Sequence, residues 1–166
     1  GRRIARLSLC PNSILSRSSW SRFLRLFLCH SKSDKDYVRQ LYARLLTLGC
    51  DPWFDEENLL PGEEWEKEIP KAIRNSHVFL VCLSPDSVTK RGFVQKEIKL
   101  ALDVAEEIPE GDIFIIPIKI QPCEVPAQLS KYQWLEAYRD GYEKLITSLA
   151  RQTKRLNLLQ LRDYIW

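Results

Sequence analysis

The chain has 166 residues, 45% hydrophobic and 28% charged, which suits one globular domain with a real core and little room for a second. Its net charge of +3 comes from the first 25 residues, where Arg2, Arg3, Arg6, Arg17, Arg22 and Arg25 stand with no acid. The remainder holds 19 basic against 22 acidic residues, which argues against nucleic-acid binding, and no apolar run approaches the roughly 20 residues of a membrane span.

The 5 cysteines (Cys10, Cys29, Cys50, Cys82 and Cys123) form no C-x-x-C pair, and the only histidines are His30 and His77. That pattern fits free thiols in a reducing cytoplasm better than a disulfide frame or a metal cluster. Residues 1–22 are rich in Arg and Ser. Their composition is like that of a transit segment, and they are expected to be a disordered extension or linker. The folded domain is expected over 23–155, with a tail at 156–166.

Leu24–Cys29 is an apolar run of strand length, followed by the polar turn His30–Ser33. Ser33 and Asp36 have capping-box-like spacing, and Val38, Leu41, Leu45 and Leu48 recur at helical intervals up to a stop at Gly49. Cys50–Phe54 reads as a short strand, placed toward a sheet edge by Pro52. Asp55–Gly62 is an acid-rich loop. Trp65, Ile69, Ala72 and Ile73 give the next helix its buried face, and Pro70 predicts a kink or a split there.

Val78–Leu83 shows no polar alternation, as expected of a central parallel strand. A helix from Phe93 to Ala105 follows, then a turn at Pro109–Gly111 and a strand over Ile113–Ile116 with Pro117 near its end. A brief strand at Tyr132–Leu135 and an amphipathic helix over 140–155 complete the set. Alternating strands and helices predict an α/β fold: a flavodoxin-like five-stranded parallel sheet of order 2-1-3-4-5 with helices on both faces. Ligands of such sheets sit beyond the carboxyl ends of the strands, at the switch point between strands 1 and 3. The loops His30–Ser33 and Ser84–Gly92 converge there, and Asp55–Gly62 borders them.

The second of those loops leads straight into Phe93 and Glu97, four apart on one helix face. Glu97 lies beside the apolar stripe of Val94, Ile98, Ala101 and Ala105. No Ser/His/Asp set, G-x-G-x-x-G or P-loop pattern is present. A receiver domain would need acids where Cys29-His30 and Leu83-Ser84 stand. One carboxylate is enough to cleave a glycosidic bond whose leaving group needs no protonation, such as the bond from ribose to nicotinamide in NAD+.

Several stretches occur in the order of the successive boxes of a Toll/interleukin-1 receptor/resistance (TIR) domain, chiefly of the prokaryotic type. They are Leu26–Ser31, Phe54-Asp55 with Leu60-Pro61-Gly62 and Trp65, Leu83–Pro85, Phe93–Ile98 and Ile115–Ile118, and the chain resembles that family over about 24–150. The resemblance implies cleavage of NAD+ to nicotinamide and ADP-ribose or a cyclic isomer, in defence or cell-death signalling. Glu97 takes the place of the catalytic carboxylate. Phe93, His30, Ser31, Asp55, Ser84 and Trp65 are the candidate substrate contacts. NAD+ is the substrate, and no cofactor is needed.

The resemblance further implies self-association with other TIR domains, the Asp55–Gly62 loop as a gate or contact, and a sensor domain or activating partner outside this chain. Two departures stand out: Phe93 replaces a frequent Trp, and Cys29-His30 replaces Ser-Tyr or Ser-His.

Blander readings stand beside these. Spacing alone allows Glu97 to be a solvated acid paired with Lys96 or Lys99. Asp55, Ser31 and Ser84 can each be turn or helix caps. Trp65 can be core, His30 a packed strand end, and His77 the start of a strand. The alternative function is a non-enzymatic adaptor that uses the 55–62 loop and helix faces for homotypic contact.

Overall fold

A computed structural model of the chain describes residues 22–89, 93–109 and 114–162. Residues 1–21 of the expected extension, Arg91 and Gly92, most of the turn after Pro109, Ile113 and the last four residues of the tail lie outside the described residues. So does the side chain of Phe93.

Five strands form one parallel sheet: β1 (Arg25–Cys29), β2 (Asp51–Trp53), β3 (Val78–Leu83), β4 (Ile115–Lys119) and β5 (Leu135–Glu136). Their order is β2-β1-β3-β4-β5, as the alternation of elements predicts. The helices are α1 (Lys35–Thr47), α2 (Asp55–Asn58), α3 (Trp65–Asn75), α4 (Pro85–Thr89), α5 (Phe93–Glu106) and α6 (Gly141–Arg155). All six residues of β3 are buried, consistent with a strand covered on both faces.

Strand alternation divides the core in two. Leu26, Leu28, Leu80, Cys82, Ile116 and Ile118 face α1 and α6 through Val38, Leu45, Leu145 and Leu149. Phe27, Cys29, Phe79, Val81 and Leu83 face α3 and α5 through Ile69, Ile73, Ile98 and Ala101. The period of two therefore puts Cys29 on the side covered by α5.

The end of α1 follows the reading at Gly49. Gly49 has φ +87, its N–H donates to Leu46 O, and Cys50 N–H donates to Leu45 O. This is a Schellman motif, in which a residue free to turn left-handed satisfies the last carbonyls. The other end differs from the reading. No Ser33–Asp36 box forms, because a 3-10 turn over Lys32–Asp34 precedes the helix and Asp36 instead pairs with Arg39 at 2.9 Å.

Pro70 does not split its helix, since α3 runs unbroken from Trp65 to Asn75. Ile69 and Ile73, both buried, anchor it on either side of the proline. Trp65 is not core: it opens α3 with 48% of its surface exposed.

β4 lies later than expected and takes in Pro117. Phe79 N–H donates to Phe114 O, and Ile120 N–H to Leu83 O, so the even positions of this stretch bond β3. Pro117 points the other way, where β5 pairs only with Ile118 and Lys119, so no ladder bond is lost. β5 also starts later, because a 3-10 turn at Ala127–Leu129 and a bond from Tyr132 N–H to Leu129 O keep that stretch curled.

After α6, Leu156, Leu158 and Leu161 pack against the α1 side of the core. Leu159 N–H donates to Arg22 O, and Arg162 N–H to Leu48 O.

Candidate functional site

β1 ends at Cys29 and β3 at Leu83, side by side at the point where the sheet order reverses. The chain leaves β1 through His30 and Ser31 into the 3-10 turn, and leaves β3 through Ser84 into α4. Asp34 joins the two exits. Its Oδ2 accepts hydrogen bonds from Ser31 Oγ at 2.7 Å and from Ser84 Oγ at 2.6 Å, all buried. Ser84 Oγ also accepts Ser87 N–H at 3.2 Å, which caps α4, and Ser84 N–H donates to Ser87 Oγ at 2.8 Å. The hydroxyl protons of Ser31 and Ser84 are thus already committed to a carboxylate.

Glu97 lies one turn into α5, with Ile98 and Ala101 of the same helix buried against the sheet. The residue is 8% exposed, and its Oε2 accepts a hydrogen bond from Cys29 Sγ at 3.0 Å. Burial pushes its pKa up to about 8. The Cys29 bond opposes that shift, and the Asp55 charge adds to it. The Cys29 thiol is itself held well above its ordinary value, by burial first and then by the charge of Glu97, so it remains a donor.

His30 completes this side of the cleft. Its ring tilts against Phe54 with centroids 5.1 Å apart, Nδ1 is 3.3 Å from Leu28 O, and Nε2 is 3.6 Å from Asp55 Oδ1. That last distance is too long for a hydrogen bond. Burial lowers the His30 pKa, against the raising effect of Asp55. Asp55 opens α2 and accepts Glu56 N–H at 2.8 Å, so part of it serves the turn.

The structure therefore gathers Glu97, Cys29, Asp55 and His30 into one electrostatic group, and joins Ser31 to Ser84 through Asp34. Trp65 stands on the surface at the start of α3, and the Phe93 side chain lies outside the described residues. His77 heads β3, where its N–H donates to Arg25 O at 2.9 Å and its Nδ1 accepts Arg25 N–H at 2.9 Å. Sequence reasoning missed Asp34, although Ser31 and Asp34 repeat the Ser-x-x-acid spacing read at Ser33 and Asp36. It also read Cys29 only as a free thiol and as a departure from the family's serine, not as a partner of Glu97.

Among the described residues, no group of three or more His, Cys, Asp or Glu side chains is placed to hold a metal ion. No helix among them is long and apolar enough to cross a membrane.

A family model described as "TIR domain" matches residues 26–150. A 2′ cyclic ADP-D-ribose synthase, AbTIR, from Acinetobacter baumannii is 33% identical over 99 residues, covering 53% of this chain and 37% of that protein. An NAD(+) hydrolase, TcpA, from a Theionarchaea archaeon is 33% identical over 96 residues, covering 56% of this chain and 27% of that protein. The chain thus spans well under half the length of these relatives. Among solved structures, the TIR domain of the Toll-related receptor TRR-2 from Hydra magnipapillata superposes with a TM-score of 0.63 at 24% identity. The match covers 78% of this chain and 97% of that one, a likeness of fold.

Proposed function

The chain belongs to the TIR domain family, and from that footing we propose that it cleaves NAD+ at the bond between nicotinamide and ribose, with Glu97 as the catalytic carboxylate. One observation carries this reading: Glu97 is a buried carboxyl at the carboxyl ends of β1 and β3 whose partner among the described residues is a thiol and not a cation. A buried acid without a cationic partner lowers stability, which makes it a poor structural device and a good receptor for a positive charge.

NAD+ brings that charge. Its nicotinamide ring is a pyridinium, and the positive charge passes to the ribose as the bond breaks. The bonding electrons leave with the ring nitrogen, so nicotinamide departs neutral without taking a proton. Glu97 gives up its proton to solvent as the cation binds, and the carboxylate faces the ribosyl cation until a nucleophile adds. Water gives ADP-ribose and releases a proton, whereas a second nucleophile on the same substrate gives a cyclic isomer. The relatives named as a hydrolase and as a cyclic ADP-ribose synthase lend support to both outcomes.

In this reading His30 and Asp55 line the substrate side and Phe93 stacks on a ring. Ser31 and Ser84 contribute mainly through Asp34. Other copies of the domain, and a sensor module beyond this chain, bring the protein to its active state in the cytoplasm.

A second reading, an adaptor that binds other TIR domains, is favoured by Leu60, 64% exposed, and Trp65, which flank Pro61-Gly62 after β2. The two readings separate in one assay: nicotinamide release from NAD+ by crowded wild-type protein and by Glu97→Gln. Release by wild type alone supports the enzyme. Equal rates in both proteins remove Glu97 from catalysis, and no release by either favours the adaptor.

A further inference from the structure

The partner of Glu97 is unusual. The residue at the end of β1 is Cys29, fully buried, with Sγ 3.0 Å from Glu97 Oε2. The thiol hangs from a strand paired to β2 and β3, while the carboxyl hangs from a helix, so the bond fixes one carboxylate oxygen relative to the sheet.

We propose that Cys29 is the positioning residue of Glu97: its thiol holds Oε2 toward the sheet, leaves Oε1 for the ligand, and stabilises the charged carboxylate. As a role in catalysis this rests on Glu97 acting in NAD+ cleavage. As a coupling between two side chains it stands without that reading.

Among the described residues, the groups around the pair leave the thiol as its one stabiliser. From α2, Asp55 opposes ionisation of Glu97. From β1, His30 follows Cys29 and has its own pKa lowered by burial, so it brings no positive charge near neutrality. From α3, the residues that face α5 are Ile69 and Ile73, while Glu68 and Lys71 pair with each other at 3.1 Å. On β4 the titratable residue is Lys119, which stacks over Trp134 at 5.6 Å. Lys96 and Lys99, on the same helix as Glu97, are exposed.

The test compares wild type with Cys29→Ala, Cys29→Ser and, as a control cavity on the opposite sheet face, Cys82→Ala. Carbon-13 NMR reads the titration midpoint of the Glu97 carboxyl, and nicotinamide release gives kcat and KM against pH. Removing the donor is expected to raise the midpoint by about one pH unit, and the stronger hydroxyl donor to lower it. Cys82→Ala is expected to leave it unmoved. At pH 7, kcat is expected to fall roughly tenfold in Cys29→Ala with KM little changed, and to recover in Cys29→Ser.

Midpoints that coincide in wild type and both Cys29 variants overturn the proposal. So does a Cys82→Ala shift as large as that of Cys29→Ala. If Cys29→Ala does not fold, the lowered midpoint in Cys29→Ser carries the test. Shifted midpoints in the Cys29 variants, beside a wild type that releases no nicotinamide, support the pairing and overturn the NAD+ reading.

Discussion

Asp34 and Ser84 are 50 residues apart in the chain, and Oγ of one donates to Oδ2 of the other at 2.6 Å. The same oxygen takes the Ser31 hydroxyl at 2.7 Å, so one buried atom ties the ends of β1 and β3 together beneath the proposed cleft. Replacing Asp34 with Ala leaves both hydroxyls without their acceptor and is expected to cost about 2–4 kcal/mol, read from urea midpoints at constant slope. Ser31→Ala and Ser84→Ala are each expected to cost less, and their double mutant to be non-additive, because they share one acceptor.

Glu97 makes stability depend on pH. Its pKa rises from an ordinary 4.5 to about 8 on folding, so the folded chain holds the proton more tightly. The stability from this group is fully present below about pH 4.5 and is lost as pH rises through about 8. His30 and His77, both lowered mainly by burial, act in the opposite direction: their contribution is present above the ordinary histidine value and lost toward acid. They are common to wild type and Glu97→Gln. The difference between the two proteins in urea unfolding from pH 5 to 9 therefore isolates Glu97, and it is expected to favour the variant by a few kcal/mol at the alkaline end, roughly.

Asp55 acts on two neighbours at once. Its charge raises the pKa of both His30 and Glu97. Asp55→Asn is expected to lower both midpoints, seen together in the His30 ring-proton and Glu97 carboxyl NMR titrations. A variant that moves only one of them shows that the two do not share Asp55.

The periodic parts of the chain were legible in the sequence because they are properties of neighbouring residues. Val78–Leu83, Gly49 and the sheet order follow from local pattern and chain connectivity. Asp34 was not legible as a clamp, because its partner Ser84 is set by tertiary pairing. Pro70 does not split its helix as the pattern suggests, and the strand expected to end at Ile116 takes in Pro117. Each proline loses a donor, but Pro70 sits between two buried isoleucines, and the missing donor of Pro117 faces a flank with no ladder. For Glu97, the helix face and the switch point were readable, but the thiol beside it was not. That contact needs the register of β1 against the pitch of α5.

Arg39 on α1 holds both carboxylate oxygens of Glu56 on α2, each at 2.8 Å. Both side chains are exposed, so Arg39→Ala is expected to leave global stability unchanged. Faster proteolysis within 55–62 is expected, since α2 is then tied to α1 at one point fewer.

Gly141 opens α6 where the backbone of Glu136 passes closely. A Cβ there would lie 2.5 Å from Glu136 O and 2.7 Å from its carbonyl carbon, both rigid backbone atoms. Gly141→Ala is expected to cost about 2 kcal/mol and to lower the thermal midpoint by roughly 4–8 °C in a circular dichroism melt.

The bonds from Leu159 to Arg22 and from Arg162 to Leu48 have a consequence for how this domain is carried. Arg22 lies just ahead of β1 and Leu48 at the foot of α1, so both belong to the amino pole of the sheet. Polypeptide arriving at Arg22 and polypeptide departing after Arg162 share one pole of the domain. The Glu97 group occupies the other pole, a strand length of about 16 Å away. A chain joined to the domain at Arg22 or at Arg162 would therefore meet it on the face farthest from the Glu97 group, and would leave the approach to that carboxyl uncovered.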